Sequence, residues 1–291
     1  MFPETEVIDW QVISRCTRKC KFCYGPIINE KKLNFNECKQ LIDKFIALGC
    51  KVVGITGGEP LLHENIGSIL EYIKFKGLKI GLNTNCDLYK NYRDLILKMV
   101  DALEIPLEAG NNKIHDSIRG NGSYSNILYA LKDSYKNSNV IFRIGTVLFS
   151  ENVNELPKIE SVLSRFSDRI IYWKIYQYIA YSNKEMEKFF SCKATFEDAR
   201  EKSWKRGLGS FLKTDQIIFD SAKMRNRSYF LVKPDGRVFV PLIEKGISIE
   251  KIIGNLLEEN VLTIYNKWKS IIKVKNYKNC IRCIFRKANI I

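Results

Sequence analysis

Residues 16–24 read Cys16-Thr-Arg-Lys-Cys20-Lys-Phe-Cys23-Tyr24, so that three cysteines stand in one short segment. The segment directly follows Ile8–Ser14, an apolar stretch that predicts a β-strand. Three thiolates in CxxxCxxC spacing can bind three corners of a cubic four-iron cluster, which leaves the fourth iron without a protein ligand. We therefore predict that Cys16, Cys20 and Cys23 bind one [4Fe-4S] cluster.

The other cysteines and the histidines do not extend this site. Zinc would need four ligands, and the two histidines, His63 and His115, stand far along the sequence. A disulfide framework is typical of small secreted domains, whereas this chain has 291 residues and nine cysteines. Cys38, Cys50 and Cys86 lie beside predicted helices and strands, and we expect them to be packing thiols.

Composition and charge narrow the class of protein. Hydrophobic residues make up 45 % of the chain, which is ordinary for a folded protein. No apolar run is long enough to cross a bilayer, and the first residues lack a signal peptide, so we expect a cytoplasmic protein without a membrane partner. The net charge of +15 fits a solvated basic surface, a phosphorylated substrate, an acidic electron-donor protein or nucleic acid.

An alternation of predicted strands and helices runs from residue 8 to about residue 178. Its six β/α units are typical of a parallel sheet with right-handed crossovers, and they are too few for a complete eight-fold barrel. We therefore predict an α/β fold with a partial (β/α)6 parallel barrel over residues 1–180. The predicted strands are Ile8–Ser14, Lys51–Thr56, Leu78–Thr84, Ala102–Leu107, Val140–Phe149 and Ile170–Tyr178. The predicted helices are Phe35–Leu48, Ile66–Phe75, Tyr89–Met99, Ser123–Tyr135 and Glu155–Phe166.

The pattern changes after residue 180, and we expect residues 181–291 to form a C-terminal α+β cap. Lys184–Arg206 is charged and mostly helical in pattern. Arg227–Pro241 predicts a β-hairpin whose turn is Lys233-Pro234-Asp235-Gly236, and Asn260–Ile272 predicts a final amphipathic helix.

The cysteine motif, placed after the first strand and with the aromatic Phe22 before its last cysteine, resembles the radical S-adenosylmethionine (SAM) superfamily. The resemblance implies that SAM chelates the open iron. It also implies reductive cleavage of SAM to a 5′-deoxyadenosyl radical, which abstracts a hydrogen atom from a substrate. Phe22 and Tyr24 are then expected beside the cofactors.

A second motif, Thr56-Gly57-Gly58-Glu59-Pro60, follows the second predicted strand and resembles the GGEP motif of the same family. The two glycines would allow the backbone to approach the methionine end of SAM. Glu59 would accept a hydrogen bond from, or orient, the ammonium group of SAM.

Later strand ends carry weaker matches to the family. Asn83-Thr84-Asn85 stands where the family places polar groups near SAM, and Cys86 replaces the usual glycine. Arg143 is a further predicted SAM contact. Glu108 departs from the common serine-x-aspartate pattern. The segment from His115 to Gly120 resembles a recurrent HDxxRG segment, for which a capped loop and a functional role are equally good interpretations. These motifs fall at the carboxyl ends of strands, where β/α barrels carry their active sites.

Two resemblances compete over the substrate. Trp173–Gln177 and Met224–Val232 resemble segments of the viperin family, which dehydrates a nucleoside triphosphate. Lys174, Arg225 and Arg227 would suit phosphate binding. With Glu108, Arg119 and Tyr176 they complete the set of substrate candidates, while packing remains an alternative for Tyr176.

The second resemblance is to the SPASM and Twitch extensions, which hold an auxiliary cluster. Lys233–Val238, Ile253–Leu256 and the pair Cys280 and Cys283 follow their order. The cysteine expected shortly after Val238 is missing, so we prefer a zinc ion or no metal at Cys280 and Cys283 and interpret the region as a degenerate SPASM/Twitch-like cap.

We accordingly expect a radical SAM enzyme whose substrate is a small anion, with a nucleotide or nucleotide sugar first. Radical modification of a ribosomal peptide is the alternative enzyme function, and an iron–sulfur scaffold or sensor is the non-catalytic one. No catalytic residue is assigned, and a nucleic-acid substrate is not expected because no RNA-binding module is recognisable.

A basic rim around the cluster segment would attract an acidic flavodoxin or ferredoxin as electron donor. The rim consists of Arg15, Arg18, Lys19, Lys21, Lys31 and Lys32.

Overall fold

A computed structural model describes residues 5–23, 32–182 and 192–272. Tyr24, Lys31, Cys280 and Cys283, for which roles are predicted above, lie outside the described residues, and so does the first part of the predicted Lys184–Arg206 helix. In the described part of the chain, no helix is both long enough and apolar enough to span a membrane.

The helices and strands follow the predicted alternation with few shifts. The strands are β1 (Val7–Ile13), β2 (Val52–Gly57), β3 (Lys79–Asn83), β4 (Ala102–Pro106), β5 (Ile141–Leu148), β6 (Ile170–Gln177), β7 (Ile217–Asp220), β8 (Leu231–Val232), β9 (Arg237–Glu244) and β10 (Ile247–Asn255). The helices are α1 (Phe35–Ala47), α2 (Ile66–Phe75), α3 (Arg93–Met99), α4 (Asn112–Arg119), α5 (Ser123–Asn137), α6 (Leu156–Leu163), α7 (Cys192–Lys205), α8 (Ala222–Arg225) and α9 (Val261–Ile271). Short 3₁₀ turns occupy Pro60–Leu62, Ser164–Phe166 and Thr214–Gln216.

One sheet of ten strands organises these residues, in the order β10-β9-β8-β1-β2-β3-β4-β5-β6-β7. Strands β1 to β7 pair in parallel with their neighbours, and β8 is parallel to β1. Ala180, just after β6, also forms a parallel bridge with Ile247 at the start of β10. Because β6 and β10 lie in opposite halves of the strand order, the bridge requires the sheet to curve back on itself. The predicted α/β class with a parallel partial barrel is confirmed.

The region after residue 180 differs in part from the expected cap. The predicted hairpin is present as β8 and β9, which are antiparallel and joined by a turn in which the Gly236 amide donates to the Lys233 carbonyl over 3.0 Å. Its strand β8 and the unpredicted strand β7 extend the two edges of the parallel sheet. Strand β7 has only four residues, too few to display a period in sequence.

Apolar side chains form the contacts between the helices and the sheet, whereas ionisable side chains lie inside the barrel. Trp10 on β1 meets Phe45 on α1 edge to face, with 5.9 Å between ring centroids. Asp9, which precedes Trp10 on β1, lies on the opposite face of the sheet because side chains alternate along a strand. Burial raises its pKa to about 6, against the opposing charges of Arg143 and Lys174. The barrel interior therefore holds ionic groups below the strand ends that carry the predicted site.

Candidate active site

The three predicted cluster cysteines follow β1 and line one cavity of about 210 Å³ at the carboxyl ends of the strands. We call it the cluster cavity; its wall also includes Phe22, Thr84 and Asn85. Cys16 and Cys20 are partly buried and Cys23 is exposed. Burial raises the pKa of the Cys16 and Cys20 thiols, and the Arg119 guanidinium opposes this rise at Cys20.

The glycines of the second motif pack against the backbone that leads into the cysteine segment. A Cβ atom on Gly58 would lie 2.1 Å from the Arg15 carbonyl oxygen, and one on Gly57 would lie 2.2 Å from that of Ile13. The Gly58 amide donates to the Ile13 carbonyl, and the Glu59 amide to that of Arg15, both over 2.8 Å. These glycines thus hold the loop after β2 against residues 14–23, which carry the three cysteines and which we call the cluster loop. The resemblance alone did not indicate this role.

Glu59 joins two strand ends and does not line the cluster cavity. Its carboxylate accepts from the Thr84 hydroxyl at 2.9 and 3.0 Å, from the Asn85 amide at 2.8 Å and from the Leu61 amide at 3.2 Å. Its side chain is fully buried, and burial raises its pKa to about 7. Its neighbour Pro60 is buried as the first residue of a 3₁₀ turn. The predicted contact of Glu59 with SAM remains a prediction.

The Asn83-Thr84-Asn85 segment reaches the first cysteine directly. The Asn85 side-chain amide lies 3.5 Å from the Cys16 sulfur and donates to the Thr17 hydroxyl over 2.9 Å. Cys86 is buried with φ +66°, the left-handed conformation in which glycine is the easiest residue to place. The structure therefore explains why a glycine would be usual at this position.

Asp87, which sequence reasoning did not select, ties the cluster loop to the end of β3. Its carboxylate accepts from the Thr17 hydroxyl over 2.8 Å and from the Asn126 amide over 3.0 Å, and it forms an ion pair with Arg18. Arg18 also donates to the Gly120 carbonyl over 2.9 Å. No sequence motif marks Asp87, and only the position of its partners identifies it.

Glu108 and Arg119 meet beside the second cysteine. The Arg119 Nε donates to Glu108 Oε1 over 2.9 Å, and its Nη1 lies 3.9 Å from the Cys20 sulfur. The guanidinium also lies over the Phe22 ring, 5.1 Å from its centroid. The other Glu108 oxygen accepts from the Val147 amide over 2.8 Å. Glu108 and Arg119 both line the cluster cavity, so they stay candidates for contacts with a bound molecule.

The HDxxRG segment is the C-terminal part of helix α4 with its cap residue Gly120, and its first two residues form hydrogen bonds that hold neighbouring backbone. The His115 Nδ1 accepts from the Glu108 amide over 3.1 Å, and burial lowers the pKa of His115 to about 3. Asp116 accepts from the Gly122 and Tyr124 amides over 2.9 and 2.8 Å at the start of α5. Only Arg119 of these three reaches the cavity.

Two predicted contacts lie in the barrel interior and are not among the residues that line the cavities. Arg143 is 1 % exposed; it donates to the Asn83 side chain over 2.6 Å and pairs with Glu104 over 3.1 Å. Lys174 is 2 % exposed and lies 3.6 Å from the Asp220 carboxylate. Asn83 and Glu104 line the cluster cavity, so Arg143 can act on it only through them. Alternation along β5 and β6 turns both cations inward, which the sequence pattern did not reveal.

A second cavity of about 360 Å³ adjoins the cluster cavity. We call it the second cavity; it shares Phe22, Cys23, Glu104, Val147 and Tyr176 with the first. Its further polar lining residues are three tyrosines, an arginine, a glutamine and a serine: Tyr178, Tyr181, Tyr229, Arg225, Gln177 and Ser248. The Arg225 guanidinium lies 5.5 Å from the Tyr176 ring centroid and donates to the Gln177 carbonyl. Arg227 has φ +60°, and it is not a lining residue of this cavity.

Three described residues of the predicted basic rim form ion pairs with carboxylates. Arg18 pairs with Asp87, Lys21 with Glu151 and Lys32 with Glu64. Arg15 and Lys19 are exposed beside the cluster loop. The described basic surface next to the cluster is thus narrower than the sequence indicates.

The sequence model of the Radical SAM superfamily matches residues 10–163, which include the cysteine motif and five of the strand ends described above. The chain belongs to the radical SAM superfamily. Membership implies a [4Fe-4S] cluster, SAM, an electron donor and a substrate.

Related proteins agree on this class and differ in what they act on. The S-adenosylmethionine-dependent nucleotide dehydratase of Selenomonas ruminantium is 22 % identical over 274 residues, which are 90 % of this chain and 94 % of that protein. The AdoMet-dependent heme synthase of Methanosarcina barkeri is 26 % identical over 160 residues, 52 % of this chain and 45 % of that protein. The chain therefore spans less than half the length of this second relative.

Among solved structures, anSMEcpe with bound AdoMet and the Cp18Cys peptide superposes with a TM-score of 0.65. The superposition covers 95 % of this chain and 89 % of that one at 14 % sequence identity. At this identity the likeness establishes the fold alone.

The residues present fit the cofactors of the family. Three cysteines line one cavity, and each would bind a different iron of the cluster. The cavity also carries the backbone of Gly58 and the polar side chains of Asn83, Thr84 and Asn85, which suit a zwitterionic amino-acid group such as that of SAM. Cys16, Cys20 and Cys23 would hold the cluster.

Proposed function

We propose that this radical SAM enzyme acts on a small anionic substrate, a nucleotide or nucleotide sugar, bound in the second cavity. The observation that carries the proposal is the position of Arg225 in the lining of that cavity, which opens onto the cysteines through shared residues. The likeness to a nucleotide dehydratase along nine-tenths of the chain supports the same substrate class.

Each group would have a separate task. The cluster and SAM supply the radical that removes a hydrogen atom from the substrate. Arg225 would bind an anionic group, because a guanidinium matches phosphate oxygens with paired donors. The tyrosine rings would pack against a base or sugar and supply hydroxyl donors. Phe22 and Val147, which line both cavities, would contact the substrate where the second cavity meets the cluster cavity.

The test is an anaerobic assay of the reconstituted chain. Iron per chain is counted, the cluster is reduced, and release of 5′-deoxyadenosine from SAM is measured with single nucleoside triphosphates and nucleotide sugars. We expect about four irons per chain and turnover that rises with one class of nucleotide. Turnover that no nucleotide raises would contradict the proposed substrate while leaving the enzyme class intact.

Substitutions of two arginines, one that lines the second cavity and one outside it, make this test more specific. In Arg225→Gln we expect kcat/KM for the stimulating nucleotide to fall roughly tenfold to a hundredfold, the usual range for one charged hydrogen-bonding partner, with iron content unchanged. Arg225→Lys should recover part of the loss. Arg165→Gln is the matched control, since Arg165 is exposed beside α6 and outside both cavities. Equal losses in Arg225→Gln and Arg165→Gln would contradict the role of Arg225.

The alternatives give distinct results in the same assay. Peptide modification predicts about eight irons per chain, if an auxiliary cluster forms, and no response to nucleotides. An iron–sulfur sensor predicts a bound cluster without 5′-deoxyadenosine. We propose one cluster, with zinc or no metal at Cys280 and Cys283 in a degenerate SPASM/Twitch-like C-terminal region.

We further propose that an acidic flavodoxin or ferredoxin delivers the electron at Arg15 and Lys19. Both are exposed beside the cluster loop, whereas Arg18, Lys21 and Lys32 form ion pairs with carboxylates. Arg15 also acts at longer range on the Glu64 carboxylate that pairs with Lys32. Reduction by flavodoxin should slow with added salt and in Lys19→Gln, but not in Lys98→Gln, which lies on the exposed side of α3. Reduction that is insensitive to salt would contradict this docking site.

A further inference from the structure

Arg119 occupies a position that its predicted role as a substrate contact does not explain. It is a cation 3.9 Å from the sulfur of a cluster cysteine, Cys20, and its side chain is only 12 % exposed. Its Nε donates to Glu108 over 2.9 Å, and the Glu108 side chain is fully buried. The guanidinium is thus placed between a buried carboxylate and a cluster ligand.

Several contacts fix the guanidinium in this position. The Phe22 ring lies against it at 5.1 Å, and the Arg119 carbonyl accepts from the Arg18 guanidinium over 3.3 Å. The chain is tied on both sides of Cys20, because the Lys21 amide donates to the Ile118 carbonyl over 3.1 Å. Helix α4 and the cluster loop therefore hold one geometry, and the charge cannot move far from the sulfur.

We infer that Arg119 and Glu108 form an electrostatic pair that sets the reduction potential of the cluster, with Arg119 raising the potential and Glu108 lowering it. The physical reason is charge. Reduction adds one electron to a cluster already bound to thiolates, so a cation close to a sulfur stabilises the reduced form and an anion destabilises it. Partial burial strengthens both effects, since water screens them less. This role depends on the cluster and not on which substrate is used.

The test is a redox titration of the reconstituted protein without SAM, followed by the electron paramagnetic resonance signal of the reduced cluster. Arg119→Gln should lower the ratio of reduced to oxidised cluster at a fixed ambient potential by about tenfold, which is about 59 mV for one electron. Glu108→Gln should shift the potential in the opposite direction. The double variant Glu108→Gln with Arg119→Gln should lie close to the wild type.

The opposite directions of the two shifts in reduction potential distinguish an electrostatic effect from damage to the fold. Looser packing around Cys20 would shift both single variants in the same direction and would persist in the double variant. Arg165→Gln, remote from the cluster, should leave the potential unchanged. If Arg119→Gln does not retain iron, Arg119→Lys, which keeps the charge, is compared with Glu108→Gln; only the latter should shift upward.

Unchanged potentials in every variant, or shifts of one sign, would overturn the inference. If unchanged potentials came with weaker SAM binding in Arg119→Gln, the guanidinium would instead contact the cofactor. The proposed nucleotide substrate fails or holds independently, because the titration contains neither nucleotide nor SAM.

Discussion

The cluster cavity and the second cavity share five residues, yet they are built in different ways. Backbone packing and a dense set of polar contacts form the first, as at Gly58 and Asp87. The second is formed by side chains from β6, β9, β10 and the segment around Arg225, and five of its fifteen lining residues are aromatic. The difference indicates that backbone packing constrains the cavity that carries the cysteines, whereas side chains determine the shape of the cavity proposed to bind the substrate.

The largest expected effect would come from breaking the backbone packing of the cluster cavity. In Gly58→Ala the new Cβ would lie 2.1 Å from the Arg15 carbonyl oxygen, so the cluster loop must move. We expect bound iron to fall from about four to less than about one per chain after reconstitution. Gly145→Ala is the control, because Gly145 lines the same cavity but its added Cβ would meet Tyr176 at an ordinary 3.4 Å. Normal iron content in Gly58→Ala would show that the loop tolerates the displacement.

A smaller and more selective effect is expected from filling the second cavity. Ile243 on β9 lines it, and Ile243→Trp should reduce nucleotide-stimulated turnover by about tenfold or more through exclusion of the substrate. Iron content and turnover without nucleotide should not change. Ile249→Trp places the same ring on β10 at a side chain that is 44 % exposed and outside the cavity lining. Loss of iron in Ile243→Trp would contradict the separation of the two regions.

The smallest predicted effect concerns the brace behind the cluster cavity. Burial lowers the pKa of His115 from 6.5 to about 3, so the folded chain holds this ring neutral while the unfolded chain protonates it below about pH 6.5. Unfolding is therefore favoured as the pH falls from about 6.5 towards 3. Between pH 7.5 and 5.5 the His115 contribution to the free energy of unfolding should decrease by about 1.4 kcal/mol.

Urea unfolding of the iron-free chain at the two pH values measures this contribution. His115→Gln should reduce the difference between the two values by that amount, whereas Lys113→Gln, an exposed neighbour on α4, should not. An unchanged difference in His115→Gln would mean that the ring is not the group that titrates.

The sequence alone determined the superfamily and most of the strands and helices of the barrel. The predicted helix Ile66–Phe75 matches α2 residue for residue, and the cluster cysteines line one cavity as expected. These features are local, because spacing within one loop and apolar periods within one helix depend on near neighbours. The short strand β7 was missed because four residues are too few to display a period. Helix α4 does have an amphipathic pattern, with His115 and Ile118 on its buried face, but the HDxxRG match led to its interpretation as a capped loop or a functional segment.

Which charged residues reach the cavities was decided by the tertiary structure alone. Lys174, Arg143 and Arg225 all looked suited to bind an anion, but only Arg225 lines a cavity, since strand alternation and sheet curvature turn the other two into the barrel interior. The sequence by itself established that three thiolates and a GGEP turn follow consecutive parallel strands, and hence the radical SAM class. Only the folded chain brings Arg119 beside Cys20, because the two residues lie 99 positions apart and meet through the packing of α4 on the cluster loop.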